Sequence, residues 1–323
     1  METMKALQIV APHDARVINV EKPAPGPRQV LLKVLAVNTC PHWDIHIFEG
    51  RPMFDPNVLI VYPYAVGQPG HEATGVIAAI GSDVNGLVVG QRASAWRDQG
   101  HDCQGCYAQY VVLEADNAIT VPESLSLLQT ASIELAMCIS TTILDLKQAN
   151  ALRGKRVGIG GLGPAGLVAA QLARAEGAKE VIGFEVNAVR RTFAERFLDR
   201  VVDSLAPEGQ TFPNRHQAGA LDVSIDCVGA KVVAQYLMDH TREIVAFFGV
   251  QREDFTFRHG SLKLFGYLGH FRASAEYAVA RLIDGSLDLA CLSSKQMRLE
   301  EYAEGTALLQ SQQALKITYL PWE

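Results

Sequence analysis

Nine consecutive residues, Asn38-Thr39-Cys40-Pro41-His42-Trp43-Asp44-Ile45-His46, hold a thiol, two imidazoles and a carboxylate. Each is a metal ligand or a proton-transfer group by type. Thiolates and imidazoles bind zinc-like ions, imidazoles titrate near neutral pH, and carboxylates do either job. The stretch is open to two readings, a catalytic cluster or polar residues that crowd one turn. Further along, Pro69-Gly70-His71-Glu72 sets another imidazole beside another carboxylate.

A third group of residues concerns phosphate rather than metal. Two overlapping G-x-G-x-x-G frames begin at Gly158 and Gly161. Val157 to Ile159 belong inside a strand, and Pro164 suits the first turn of a helix, where its missing N–H costs nothing. The frame from Gly161 is therefore the turn. Gly161 makes the tight bend, Gly163 admits a pyrophosphate closely, and Gly166 lets the helix pack on the sheet. The helix start at Pro164 and Ala165 offers free N–H groups and a partial positive charge to a diphosphate.

About 20 residues beyond the helix start, Glu185 ends the next strand, where an acidic residue accepts hydrogen bonds from ribose hydroxyls. Its charge repels a 2′-phosphate, so NAD is expected ahead of NADP. Arg190 and Arg191 act against that preference, since either guanidinium can turn toward a phosphate.

The elements that must carry these groups change character near residue 140. Before it, QVLLKVLAV (29–37), TGVIAAIG (74–81) and YAQYVVLE (107–114) are strands punctuated by Gly, Pro, Asn and Asp. After it, KRVGIGG, EVIGFEV, LDVSIDCVG, EIVAFFGV and SLKLFGYLG are short apolar strands. The helical stretches PAGLVAAQLARAEGA and AVRRTFAERF, with a third between LDVSIDCVG and EIVAFFGV, alternate with them. That alternation predicts a parallel, doubly wound sheet. The end, from ASAEYAVARLIDG to LKITYLPWE, is a helix, a helix-rich segment and a closing strand.

The chain of 323 residues is long enough for two domains, with 48% apolar and 20% charged residues and a net charge of −6. No basic run points to nucleic acid, no apolar run reaches membrane-spanning length, and a signal-peptide core is missing, so a cytoplasmic protein is expected. Six cysteines in so long a chain are core residues or metal ligands rather than a disulfide framework.

Several segments together resemble the medium-chain dehydrogenase/reductase family, which includes the zinc alcohol, polyol and threonine dehydrogenases. They are Pro69-Gly70-His71-Glu72-Ala73-Thr74-Gly75-Val76-Ile77, Val89-Gly90-Gln91-Arg92-Ala93, Tyr107-Ala108-Gln109-Tyr110-Val111, Asp226-Cys227-Val228-Gly229, the Gly161 turn and the closing Lys316-to-Pro321 strand. The resemblance implies an α/β fold: a GroES-like, mostly-β catalytic domain over 1–138, a Rossmann domain over 139–272, and a segment, 273–323, that returns to the first. Substrate and nicotinamide would meet in a cleft. A homodimer or homotetramer is expected, with SLKLFGYLG as a candidate intersubunit strand.

The resemblance also implies one catalytic zinc, with His71 a ligand, Glu72 a ligand or immediate neighbour, and Glu134 near the place of a further acidic ligand. The family pattern C-x-x-D-x-H fits Asp44 and His46 but puts Pro41 where the cysteine belongs. Counting from the strand KVLAVN puts Cys40 there instead. Cys40 is then the thiolate ligand, and Pro41 accommodates an inserted residue as a local bulge. Asp44 is expected to orient His71, His46 to relay a proton from the alcohol to solvent, and His42 to stand in for the relay's usual hydroxyl.

Cys227 and Val228 are expected to line the cofactor through their backbone. The resemblance also implies that a structural zinc, where present, takes four cysteines in a lobe after the Val89-to-Ala93 segment; only Cys103 and Cys106 stand there, and two thiols do not make a tetrahedral site, so none is expected.

The activity implied is NAD-linked oxidation of a secondary alcohol (a polyol, sugar or amino-alcohol). The alternatives are a zinc-less NADPH quinone or enoyl reductase of the same superfamily, or a nucleotide-binding protein without turnover.

Overall fold

The computed structural model describes residues 2–53 and 57–323. The chain forms two compact units. One runs to Leu135 and resumes over Leu289–Glu323; the other is Ala136–Asp288. Helix 272–283 thus belongs to the second unit, whereas the sequence placed it in the returning segment.

The first unit opens with an antiparallel pair, β1 (Thr3–Ala11) and β2 (Asp14–Glu21), which was not foreseen. Then come β3 (Gln29–Asn38), helix α1 (Pro41–Glu49), β4 (Glu72–Ile80), β5 (Arg92–Ala95), β6 (Tyr110–Glu114), β7 (Ala118–Thr120), the short α2 (Leu127–Thr130) and the start of α3 (Ile133–Gln148), most of which belongs to the second unit. The strand expected at 107–114 is shorter because Ala108 makes only an isolated bridge with Ala6.

Helix α1 explains how the residue before Asp44 is absorbed. Cys40 is its extended N-cap, and Pro41 takes the first helical position. The expected bulge is absent, because a proline at that position loses no hydrogen bond and its fixed φ suits the helix. Asp44, Ile47 and Phe48 share the buried face of α1 at helical spacing.

The second unit alternates as expected: β8 (Arg156–Gly160), α4 (Pro164–Ala175), β9 (Glu180–Phe184), α5 (Ala188–Ala194), β10 (Arg200–Val202), α6 (Pro207–Gln210), β11 (Leu221–Asp226), α7 (Lys231–His240), β12 (Thr241–Phe247), β13 (Lys263–Gly266) and α8 (Arg272–Ile283). All six strands are parallel, in the order β10-β9-β8-β11-β12-β13. The chain winds outward from β8 to one edge, then crosses back to β11 and winds to the other. The carboxyl ends of β8 and β11 therefore flank the switch point where such sheets bind ligands. Ile182, Phe184, Leu221, Leu237 and Val245 form part of the core beneath.

Back in the first unit, β14 (Ser293–Met297), α9 (Tyr302–Gln310) and β15 (Lys316–Tyr319) close the chain. They complete a seven-stranded sheet in the order β14-β15-β3-β4-β5-β7, with β6 also on β3. Leu32, Val34, Ile77, Tyr107, Tyr302 and Tyr319 pack in its core. Among the described residues no helix is long and apolar enough to cross a membrane.

Candidate metal cluster and dinucleotide turn

Strand register builds the metal cluster. In the antiparallel β3–β4 pair Asn38 lies opposite Glu72. Cys40, two residues past Asn38, and His71, just before β4, are therefore brought together although 31 positions separate them in the chain. Ligand atoms of Cys40, His71 and Glu72 all lie within 4.8 Å of one another. From the start of α3, Glu134 Oε2 approaches His71 Nε2 to 3.8 Å, with both side chains largely buried.

The His71 ring is fixed by its Nδ1–H, which donates to the Pro69 carbonyl at 2.9 Å. Nε2 is thereby the nitrogen left for a metal. Burial by itself would push this imidazole down. The hydrogen bond and charge of Cys40, with the charges of Glu134 and Glu72, outweigh burial and hold it well above its usual value. A cation at the same place would substitute for that proton.

Glu72 divides its carboxylate. Oε1 accepts from Lys316 Nζ at 2.5 Å, and both side chains are only 1% exposed. Oε2 is buried with no hydrogen-bond partner. A buried carboxylate oxygen left unpaired is costly, and a cation removes the cost. A sulfur, an imidazole nitrogen and carboxylate oxygens are also the donor types that zinc accepts. On both grounds the residues present fit a metal ion.

The fully buried Asp44 does not orient His71 through a hydrogen bond. Its Oδ1 accepts from the hydroxyls of Tyr107 at 2.6 Å and Tyr302 at 2.8 Å, and Oδ2 has no hydrogen-bond partner. The orienting role expected of Asp44 falls to the Pro69 carbonyl, because the turn before β4 brings that group nearer the ring. Burial pushes the Asp44 carboxyl up to about 6, against the lowering effect of the two tyrosine hydroxyls and the His71 and Lys316 charges.

His42 and His46, one helical turn apart on α1, stack with centroids 6.2 Å apart. His46 Nδ1 pairs with the Pro52 carbonyl at 3.0 Å. His101 packs on Trp43 at 4.2 Å, so the HDCQGC segment lies against α1. Cys103 is exposed and Cys106 buried.

In the second unit, Gly161 follows β8 with φ +82°, which side-chain-bearing residues rarely adopt. Gly163 is the N-cap of α4 and Pro164 its first residue, with Ala165 next. At Gly166 a Cβ would lie 1.9 Å from the Gly161 carbonyl oxygen, so only glycine lets helix and turn approach this closely.

Glu185 is almost fully buried. Its Oε2 accepts from the Leu162 N–H and its Oε1 from the Asn187 N–H, both at 2.9 Å. The carboxylate therefore also braces the turn, a role not read from the sequence. Arg191 is engaged by the carbonyls of Glu185 and Val186 and by Asp203. Arg190 Nη1 lies 3.8 Å from where a Gly163 Cβ would stand, and its Nε is buried without a hydrogen-bond partner. The Cys227 N–H donates to the Gly160 carbonyl, and Val228 packs over Gly161.

The sequence missed Lys316, Tyr107 and Tyr302 as site residues. Lys316 left one signal: it is a lone charge in the apolar closing stretch ALKITYL. The tyrosines left none, since each looks like an ordinary core aromatic.

Comparison with known proteins accords with this geometry. Residues 26–123 match the family model described as the alcohol dehydrogenase GroES-like domain. The L-threonine 3-dehydrogenase of Pyrococcus horikoshii is 28% identical, over 99% of both chains. Among solved structures, the 2R,3R-butanediol dehydrogenase of Bacillus subtilis superposes with a TM-score of 0.83 at 20% identity, covering 98% of this chain and 99% of the other. An alcohol dehydrogenase of Escherichia coli CFT073 complexed with NADH gives 0.84 at 20% identity, covering 99% and 100%. The two structural likenesses are of fold. Residues 26–123 thus form an alcohol dehydrogenase GroES-like domain, and over nearly its whole length the chain is similar to L-threonine 3-dehydrogenases.

Proposed function

We propose that the protein is a zinc-dependent, NAD(H)-linked dehydrogenase that oxidises a secondary alcohol to a ketone. Polyols, sugars and amino-alcohols are the expected substrate class. The observation that carries the reading is the Cys40–His71–Glu72 cluster with its unpaired buried Glu72 oxygen. Cys40, His71 and Glu72, with Glu134 approaching His71, are the residues that would hold zinc. When bound, zinc supplies a Lewis acid for the substrate oxygen.

The chain's own residues do the rest. Pro69 orients His71, and Lys316 holds one oxygen of Glu72. His42 and His46, stacked on α1, are the proposed carriers of the proton that the alcohol loses.

NAD is the expected partner because Glu185 places a negative charge at the end of β9. Each of its oxygens keeps a lone pair after its one backbone bond, so ribose hydroxyls remain acceptable donors. NADP is accepted more weakly, through Arg190. The 28% identity to a threonine dehydrogenase puts L-threonine first among substrates to try.

The test is metal analysis of the purified protein, followed by NAD and NADP reduction across a panel of secondary alcohols, with and without a chelator. The expected result is about one zinc per chain and activity that the chelator abolishes. Metal-free protein whose activity ignores the chelator would point to the zinc-less reductases instead.

A further inference from the structure

We propose that Lys316, from the closing strand, is a positioning residue for the metal cluster. It fastens one oxygen of Glu72 and the main chain beside Cys40, so that the other Glu72 oxygen is left to coordinate. The proposal rests on the zinc reading above and deepens it.

A lysine is almost never fully buried unless it is paired. Lys316 and Glu72 are both 1% exposed, and the Lys316 ammonium makes two short contacts, to Glu72 Oε1 at 2.5 Å and to the Thr39 carbonyl at 2.6 Å. Thr39 immediately precedes Cys40, and Glu72 immediately follows His71. One ammonium therefore grips both segments that carry the cluster.

Register makes this possible. β3 lies between β4 and β15, and Asn38 faces Glu72 on one side and Thr318 on the other. The neighbours of Lys316 reinforce the grip: the Ile317 N–H donates to Thr39 Oγ1, and Thr318 Oγ1 to Asn38 Oδ1. Asn38 Nδ2 in turn donates to Ser132, two residues before Glu134. All three ligand-bearing segments are thus tied directly or through Asn38 to β15.

Charge supplies the second argument. Ionised, Cys40, Glu72 and Glu134 each carry one negative charge. A divalent cation and the Lys316 ammonium together balance all three. Without the ammonium, Glu72 is free to turn both oxygens toward the metal or away from it.

The test uses Co2+ as the probe on full-length protein stripped of metal. Affinity is read by competition with a chelator and coordination by the visible absorption bands. Lys316→Met is expected to weaken Co2+ binding by about ten- to a hundredfold and to shift the bands. Lys316→Arg is expected to restore most of both. In a Glu72→Gln background, Lys316→Met is expected to add little, because its effect passes through Glu72. Equal affinity and spectra in wild type and Lys316→Met would overturn the proposal, as would full additivity of the two substitutions.

If Lys316→Met fails to fold, the Glu72→Gln/Lys316→Met pair removes both charges, a change that proteins tolerate better than breaking the pair. Its Co2+ affinity should equal that of Glu72→Gln alone; a much lower value counts against the proposal. Wild type that takes up no Co2+ would sink the zinc reading itself. Wild type that binds while Lys316→Met binds identically would sink only this inference.

Discussion

At the scale of single residues, the proton on His71 governs what the cluster does with pH. Burial disfavours the imidazolium, but Cys40, Glu134 and Glu72 hold the ring well above its usual value. Below that raised value a metal must displace a proton to reach Nε2; above it, none. Metal affinity is therefore expected to rise with pH through and beyond the ordinary histidine range, with proton release on binding. Calorimetric titration of Zn2+ in buffers of different ionisation enthalpy measures that release, and an affinity flat with pH would contradict the assignment.

His42 has a separate signature. If it takes the alcohol's proton, His42→Ala should slow oxidation most at low pH, where hydroxide is scarce, with metal content unchanged. A pH–rate profile with the wild-type shape would remove His42 from the relay and leave His46, with its Pro52 contact, as the remaining candidate.

At the scale of elements, the dinucleotide turn depends on contacts that a single methyl group breaks. A Cβ at position 166 would stand 1.9 Å from the Gly161 carbonyl, a backbone atom that cannot rotate away. Gly166→Ala must then push α4 off β8. It is expected to cost about 1–3 kcal/mol of stability and to lose most nucleotide affinity. Thermal unfolding together with NADH fluorescence titration checks both; normal NADH binding would show that the turn tolerates displacement.

Helix α1 shows a related economy. The residue that disturbs the C-x-x-D spacing is absorbed by starting the helix at Pro41, which leaves Cys40 at the N-cap beside His71. Asp44 is then turned into the core, onto two tyrosines.

At the scale of the whole molecule, β13 is an edge strand of the six-stranded sheet, and among the described residues no strand pairs with its outer side. Such an edge is a template for pairing with a second copy. Sedimentation equilibrium is expected to give two or four times the chain mass of 35.1 kDa. A concentration-independent monomer would show that the edge is left open.

Sequence and structure divide the explanation along a physical line. Whatever depends on short-range periodicity was legible in the residues themselves: the glycine turn and its frame, the alternation of strands and helices after residue 140, and the crowding of Cys40, His42, Asp44 and His46 into one short stretch. These follow from φ/ψ limits and side-chain period, which act over a few residues. The N-terminal hairpin and the partners of Asp44 were not legible, since nothing local distinguishes them; Pro41 is a local sign of a helix start, as Pro164 is, but the disturbed C-x-x-D spacing suggested a bulge there instead.

Lys316 marks the limit most clearly. It meets Glu72 across 244 positions, and Tyr302 meets Asp44 across 258. Those meetings depend on the register of β15 and β4 against β3 and on the docking of α9 against α1, which long-range pairing alone decides. By itself the sequence determined which groups could do chemistry; the tertiary structure decided which of them touch, because strand register and core packing, not spacing along the chain, set the distances.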